Sequence, residues 1–408
     1  MASTSTLLAS IFVARLLGTS EYGALGLIQS TLGTCISVLG PGVALTATKF
    51  VAEHRTTQPH LAGQMIGLTY ATALIAALIL AGGLAASARP FAEVVYRAPS
   101  LAPLLRPAAI ALFLSVLSGA QTGALAGLEA FGSIAVANLV KGLAVFPLMW
   151  LLTRSFGIAG AVWATAIVAG IGWLAMEWSL RRALGAARLR VLFRGIWVHA
   201  RVLVTFSLPA MMTSGMVLVT MLVGNILLTR LPNGYGELGI FSAANQWRAV
   251  ILFLPNMVVQ PFFPMLAGLA GGRRLGLFRR VLVASVVLSS LAALLPAVAT
   301  AGLALPIMSA YGHEFRVGRG TLLLVATASF LAAGSLGIIQ AMNSLGKVWE
   351  SAGIHALWVA AFFATFAAVA HYGARGLAGA YAVAYLVQLL ALVYYVAVPG
   401  ASLTRESA

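Results

Sequence analysis

Nine stretches of this chain run for 22 residues or more without a charged side chain. They lie at Tyr22–Thr48, Leu61–Ala88, Pro107–Leu128, Ser155–Met176, Val202–Thr229, Val281–Gly312, Gly320–Gly346, Ser351–Ala374 and Gly376–Thr404. Two further runs are each interrupted by one cation: Ala130–Thr153 by Lys141, and Leu238–Gly272 by Arg248. A helix rises ~1.5 Å per residue, so about 20 residues span a hydrocarbon core of ~30 Å. The pattern therefore predicts eleven membrane crossings, and twelve with the shorter apolar segment Ser5–Leu17. A transmembrane β-barrel would instead show segments of ~10 residues with alternating polarity. The expected fold is an all-α polytopic membrane protein of about 12 transmembrane helices.

Composition agrees: 61% of the 408 residues are hydrophobic and 8% are charged, a balance outside the soluble globular range. The one cysteine, Cys35, excludes an intramolecular disulfide and a cysteine-based metal site. All nine acidic residues are Glu, which removes most carboxylate-dyad and metal-dependent chemistry. The N-terminal MASTSTLLASIFVARLLG lacks the basic region of a secretory signal.

The basic residues set the orientation. With the N-terminus inside and twelve crossings, the inner loops hold Lys49 and Arg55; Arg181, Arg182, Arg188, Arg190, Arg194 and Arg201; Arg273, Arg274, Arg279 and Arg280; Lys347; and Arg405. The outer loops hold Arg15, Arg89, Arg97, Arg106, Arg154, Arg230, Arg316, Arg319 and Arg375. This bias predicts cytoplasmic termini. The densest loop, RRALGAARLRVLFRGIWVH, reads either as a basic amphipathic linker on the cytoplasmic face, with Leu, Phe and Trp dipping into the interface, or as an ordinary positive-inside loop. It separates an N-terminal six-helix lobe at 1–180 from a C-terminal one at 202–408, the linker being 181–201.

The halves echo each other. ARLLGTSEYGALGL (Ala14–Leu27) returns as TRLPNGYGELGI (Thr229–Ile240), and GIAGA (Gly157–Ala161) as GLAGA (Gly376–Ala380). Arg15 matches Arg230 at an offset of 215, Tyr22-Gly23 matches Tyr235-Gly236 at 213, and the third pair lies 219 apart. Three matches in order suggest a duplication. Six crossings per copy is even, so the lobes are expected to be parallel repeats about an axis along the membrane normal.

Catalytic signals are missing. The six His are scattered, no HExxH or Walker A sequence occurs, and the outer loops are short. The reading is not an enzyme, with no cofactor, no metal and no nucleic-acid partner. Lys141 and Arg248 carry more information. Counted from Gly132 and Leu238, both lie ~14–15 Å along a crossing, near the midplane. A cation there costs ~2.5–3.5 kcal/mol on the lenient insertion scale. The usual relief is a buried carboxylate, yet only Glu177, between Trp173 and Trp178, lies near a crossing. The two cations are thus expected to face water or an incoming anion, the alternative being that they snorkel toward the interface, helped by a thinned bilayer or by backbone carbonyls. Asn245, one turn from Arg248, and Gln246 join them as candidate cavity residues, as does Asn225. Pro255, Pro261 and Pro264 predict a kinked or broken helix after Arg248. Arg15 and Arg230 are placed at the outer mouth.

ARLLGTSEYGALGL, the following apolar run and TKFVAEHR (Thr48–Arg55) resemble the first hairpin of bacterial polysaccharide flippases. These belong to the multidrug/oligosaccharidyl-lipid/polysaccharide exporter superfamily. GALAGLEAFGSIAVANLV (Gly123–Val140) is similar to that family's fourth-to-fifth helix junction. The resemblance implies two lobes rocking about a cationic cavity. It implies carriage of a polyprenyl-diphosphate-linked oligosaccharide across the bacterial inner membrane, for lipopolysaccharide or exopolysaccharide. It places cavity cations in the eighth helix, where Arg248 falls, and implies a monomer whose partners are membrane lipids and polysaccharide polymerases or glycosyltransferases. It also implies a full first helix, whereas thirteen residues precede Ala14, so the first helix is expected to be truncated. The alternatives are a multidrug/cation antiporter, which would need a membrane carboxylate, and a peptidoglycan lipid precursor flippase. A membrane glycosyl polymerase or ligase would need an outer catalytic loop.

Overall fold

The computed structural model describes residues 2–199, 208–271, 275–345 and 347–397. The basic residues Arg201, Arg273, Arg274 and Arg405, and the linker's last two positions, lie outside that set. The described elements are helical, with no strand among them. In hydrocarbon each backbone amide must bond within its own segment, and a helix does this locally.

The long helices are α1 (Ala2–His54), α2 (Pro59–Ala86), α3 (Ala102–Gly127), α4 (Phe131–Ala186), α5 (Leu208–Thr229), α6 (Gly234–Val259), α7 (Phe262–Gly271), α8 (Leu275–Gly302), α9 (Ala304–Tyr311), α10 (Arg319–Ser344), α11 (Val348–Val369) and α12 (Ala374–Ala397). Eight of the described helices are long and apolar enough to cross a membrane. Two of these are double. α1 has 53 residues and α4 has 56, about twice one crossing, and each breaks at a glycine: Gly18 (φ 70°) and Gly157 (φ 57°). The left-handed backbone there is open to glycine without steric cost, so the chain can reverse within one residue. With α5, whose apolar part is the shorter Gly215–Thr229, and α6, the segments number twelve. The helix after Arg248 is broken as its prolines predict: α6 stops at Val259, and α7 restarts at Phe262, past Pro261.

The turns carry the duplication more regularly than the sequence matches do. Gly18 and Asn233 (φ 52°) stand 215 apart, Arg97 (φ 52°) and Gly312 (φ 138°) 215 apart, and Gly157 and Gly373 (φ 61°) 216 apart. The Tyr-Gly match at 213 is out of this register.

The chain forms two compact units: Met1–Leu17 with Ala24–Ile226, and Gly18–Gly23 with Leu227–Ala408. In unit 1, α2, α3 and α4 bury a core rich in small and aliphatic residues, including Ala62, Ile66, Leu68, Ala124, Leu125 and Leu180. Apolar burial gives little drive in lipid, so van der Waals contact between close backbones holds such helices together. The linker joins this core. α4 carries Arg181 and Arg182 on its last turns, and the chain then runs extended across α2. Leu189 and Ile196 turn inward and are buried, whereas Phe193 and Trp197 face outward. Thus the aromatic residues, and not Leu189, are free to enter an interface.

In unit 2, α8, α10 and α12 pack around Phe278, Leu282, Ile338, Met342 and Leu392. The Gly18–Gly23 turn lies against α6 in the same unit. A Cβ on Gly23 would stand 1.9 Å from the Tyr235 carbonyl oxygen, and one on Gly239 would stand 1.9 Å from that of Thr19. This reciprocal crossing pairs Gly23 with Gly239, 216 positions apart, in register with the turns. Closest backbone approach, rather than the recurrence of a dipeptide, defines the equivalent positions. Two carboxylates cap turns here. Glu314 Oε2 accepts from the Thr19 N–H and Oγ1 hydroxyl, both at 3.2 Å, and Glu237 Oε2 accepts from the Ala374 N–H at 2.7 Å.

Candidate functional site

Arg248 sits in α6, fourteen residues past its start and half-buried. Its guanidinium Nη2–H donates to the Tyr385 hydroxyl of α12, and its Cζ lies 5.1 Å from the centre of that ring. The relief for this cation is therefore aromatic as well as polar, since a desolvated guanidinium over a ring face gains electrostatic attraction. Tyr385 belongs to a cluster. Trp358 of α11 packs on it at 5.3 Å between ring centres and on Tyr381 at 6.1 Å, and Tyr381 stacks on Phe241 of α6 at 5.7 Å. The Tyr381 hydroxyl and the Trp358 indole N–H are buried without a hydrogen-bond partner among the described residues. The group is rich in donors, which suits an anion better than a cation. Asn245 and Gln246 are half-buried beside Arg248.

Lys141 lies in the first half of α4, in unit 1, and is exposed. Its aliphatic stem crosses Gly172 in the second half of α4, where a Cβ would come within 3.0 Å of the Lys141 Cδ. Asn225 is also in unit 1; its Nδ2 donates to Ser30 Oγ at 2.9 Å, and its Oδ1 is buried without a hydrogen-bond partner among the described residues. Arg15 and Arg230 are both exposed, each three residues ahead of a positive-φ turn. The structure thus joins Arg248, Asn245 and Gln246 within unit 2, and holds Lys141, Asn225 and Arg15 in unit 1.

Sequence reading passed over the aromatic partners. Their signal was present: Tyr381 and Tyr385, and Trp358 and Phe362, are spaced i, i+4, which stacks side chains on one helix face. It also noted Glu177 only as the one carboxylate near a crossing. Glu177 Oε2 accepts from the Tyr70 hydroxyl of α2 and the Gln121 Nε2 of α3, both at 2.9 Å, and Oε1 accepts from Arg181 Nε at 2.7 Å. Gln121 is fully buried. Glu177→Ala strands the Tyr70 hydroxyl and leaves Gln121 Nε2 with only its bond to the Tyr70 oxygen at 3.0 Å, so thermal melting of the purified protein should show a loss of about 1–3 kcal/mol, with Glu177→Gln recovering part of it. An unchanged melting curve for the Ala variant would refute the structural role. No group of three or more metal-ligating side chains occurs among the described residues.

The described helical segments, with their turn register repeating at 215–216, have the fold of known transporters. One similar structure is the inward-facing conformation of a multidrug resistance MATE family transporter of the MOP superfamily (TM-score 0.83, 15% identity, covering 100% of this chain and 96% of that one). Another is the lipid II flippase MurJ in an inward closed conformation (TM-score 0.78, 13% identity, 97% and 86%). The Vibrio cholerae MATE transporter VcmN in the bent form follows at TM-score 0.63, with 17% identity over 97% of each chain. These likenesses establish the fold. No curated protein matches the chain. The family model for polysaccharide biosynthesis proteins matches residues 4–270, and the chain belongs to that family. It is a multi-pass membrane protein that shares the fold of those transporters.

Proposed function

We propose that this protein is a flippase for a polyprenyl-diphosphate-linked oligosaccharide, acting in cell-surface polysaccharide biosynthesis at the bacterial inner membrane. The observation that carries the reading is Arg248, a mid-helix cation held against the Tyr385 phenol, in a chain of the polysaccharide biosynthesis family. A guanidinium with its planar fork suits a diphosphate, which it can meet through charge-assisted hydrogen bonds. In this reading the lobes are 1–180 and 202–408, joined by the 181–201 linker, with both termini cytoplasmic. Arg248 and Lys141 draw the diphosphate into the cavity while the polyprenyl tail stays in lipid, and the lobes then expose it to the other side. Asn245, Gln246 and Asn225 offer hydrogen bonds to the sugar, and Arg15 and Arg230 stand at the outer mouth. Polymerases and glycosyltransferases would work up and down stream of it.

The structural likeness to MATE transporters favours a second reading, a multidrug/cation antiporter. That chemistry needs a membrane carboxylate free to exchange a proton or cation. The chain has no Asp, and Glu177 is already engaged by three donors. The two readings part on one experiment. Deleting the gene should make a diphosphate-linked glycan accumulate on the inner leaflet without altering drug resistance. Altered drug resistance with no glycan accumulation overturns the flippase.

A further inference from the structure

The linker between α4 and α5 is fixed to unit 1 as a strap. Its Leu192 N–H donates to the Gly63 carbonyl of α2 at 3.1 Å, and Gln64 Nε2 donates to the Arg194 carbonyl at 3.0 Å. The strap backbone lies in a groove cut by two glycines one helical turn apart. A Cβ on Gly63 would stand 2.2 Å from the Arg190 carbonyl oxygen, and one on Gly67 would stand 2.0 Å from that of Leu192. Buried Leu189 and Ile196 anchor either end.

What the strap shows outward is of one chemical kind. Arg188, Arg190 and Arg194 are exposed and make no ion pair or side-chain hydrogen bond among the described residues. Between and beside them stand Phe193, 59% exposed, and Trp197, 57% exposed. A loop that only needed positive charge would have no reason to hold bulky apolar rings out of the core. Aromatic rings beside arginines match the boundary between headgroup and acyl chain, where rings enter the lipid and guanidinium groups meet phosphate oxygens.

We propose that this strap is a docking surface for anionic phospholipid headgroups in the leaflet it faces. The arginines bind the phosphodiester and its extra negative charge, and Phe193 and Trp197 hold the surface at interface depth. Because the glycine groove fixes the backbone, the arginines form a standing array that takes up lipid without first being ordered. The assignment depends on charge complementarity and ring exposure, and it is independent of the substrate in the cavity.

The test uses the full-length protein in detergent with equal amounts of phosphatidylglycerol and phosphatidylethanolamine, the retained lipids being counted by native mass spectrometry. Wild type should retain phosphatidylglycerol preferentially, and the preference should fall as salt is raised. At roughly one kcal/mol per arginine, the R188Q/R190Q/R194Q variant should weaken phosphatidylglycerol retention about a hundredfold, with phosphatidylethanolamine unchanged. F193S/W197S should lower retention of both lipids. The proposal is overturned if the triple variant keeps the preference, or if the wild-type preference ignores salt. It is equally overturned if inorganic phosphate displaces the lipid as effectively as a second phosphatidylglycerol does, which would make the strap a free-anion site. Should the triple variant not fold, the wild-type salt series and phosphate competition decide by themselves.

Discussion

Arg248→Ala is expected to abolish surface polysaccharide while the protein remains in the membrane at its normal level. The energetic argument separates this outcome from unfolding. A mid-membrane cation costs ~2.5–3.5 kcal/mol to insert, so a residue of no use to transport would be better replaced by alanine. Losing the Tyr385 contacts offsets part of that gain, so the variant should melt near the wild-type temperature while transport is lost. Function would then fall without a matching fall in stability, as it does where a group is kept for its work. Arg248→Lys keeps a point charge but loses the planar fork that can face two phosphate oxygens and lie over the Tyr385 ring, so partial activity is expected. Tyr385→Phe keeps the ring and removes the hydroxyl that accepts from Arg248. It should reduce transport less than the alanine variant does, by misplacing a cation that is still present. Normal polysaccharide in Arg248→Ala, measured against protein level by immunoblot, would sink the assignment.

The second large effect concerns the crossing of Gly23 and Gly239. Replacing either by valine is expected to remove the folded protein from detergent extracts, and alanine at either site should already lower the melting temperature. The atoms in the way are backbone: the Tyr235 carbonyl at 1.9 Å for Gly23 and the Thr19 carbonyl at 1.9 Å for Gly239. A flexible side chain could swing aside, whereas a carbonyl can retreat only if the helices part. Overpacking a well-packed contact typically costs about 1–3 kcal/mol, and parting also forfeits the ring contacts of Tyr22 with Phe315 and Tyr311 alongside. Gly83→Ala supplies the control, because nothing lies within 4 Å of a Cβ there. That change should be neutral or slightly stabilising, as alanine favours a helix by up to about 1 kcal/mol over glycine. Fluorescence-detected gel filtration after heating reads all of these variants. Equal melting of Gly239→Ala and Gly83→Ala would show that the crossing contributes nothing.

The helical class and the membrane-spanning character were legible in the residues alone. In hydrocarbon the backbone has no solvent to bond with, so a long uncharged run is a helix whatever surrounds it. Charged punctuation was thus enough to place the segments, and a repeated turn was enough to expose the duplication. The same locality made Arg248 stand out, since its insertion cost depends on depth along its own helix. Tertiary structure decided what each unusual residue touches. Tyr385 lies 137 residues from Arg248, and nothing near Arg248 announces it. The Gly23–Gly239 pair could not be told from the nearby Tyr-Gly echo, because chains rich in small residues offer many registers and only the helix crossing selects one. The strap shows the same division: its basic residues were legible from composition. That Leu189 turns inward and Phe193 and Trp197 outward depends on Gly63 and Gly67, more than 120 residues earlier in the chain, and only the folded backbone brings them together.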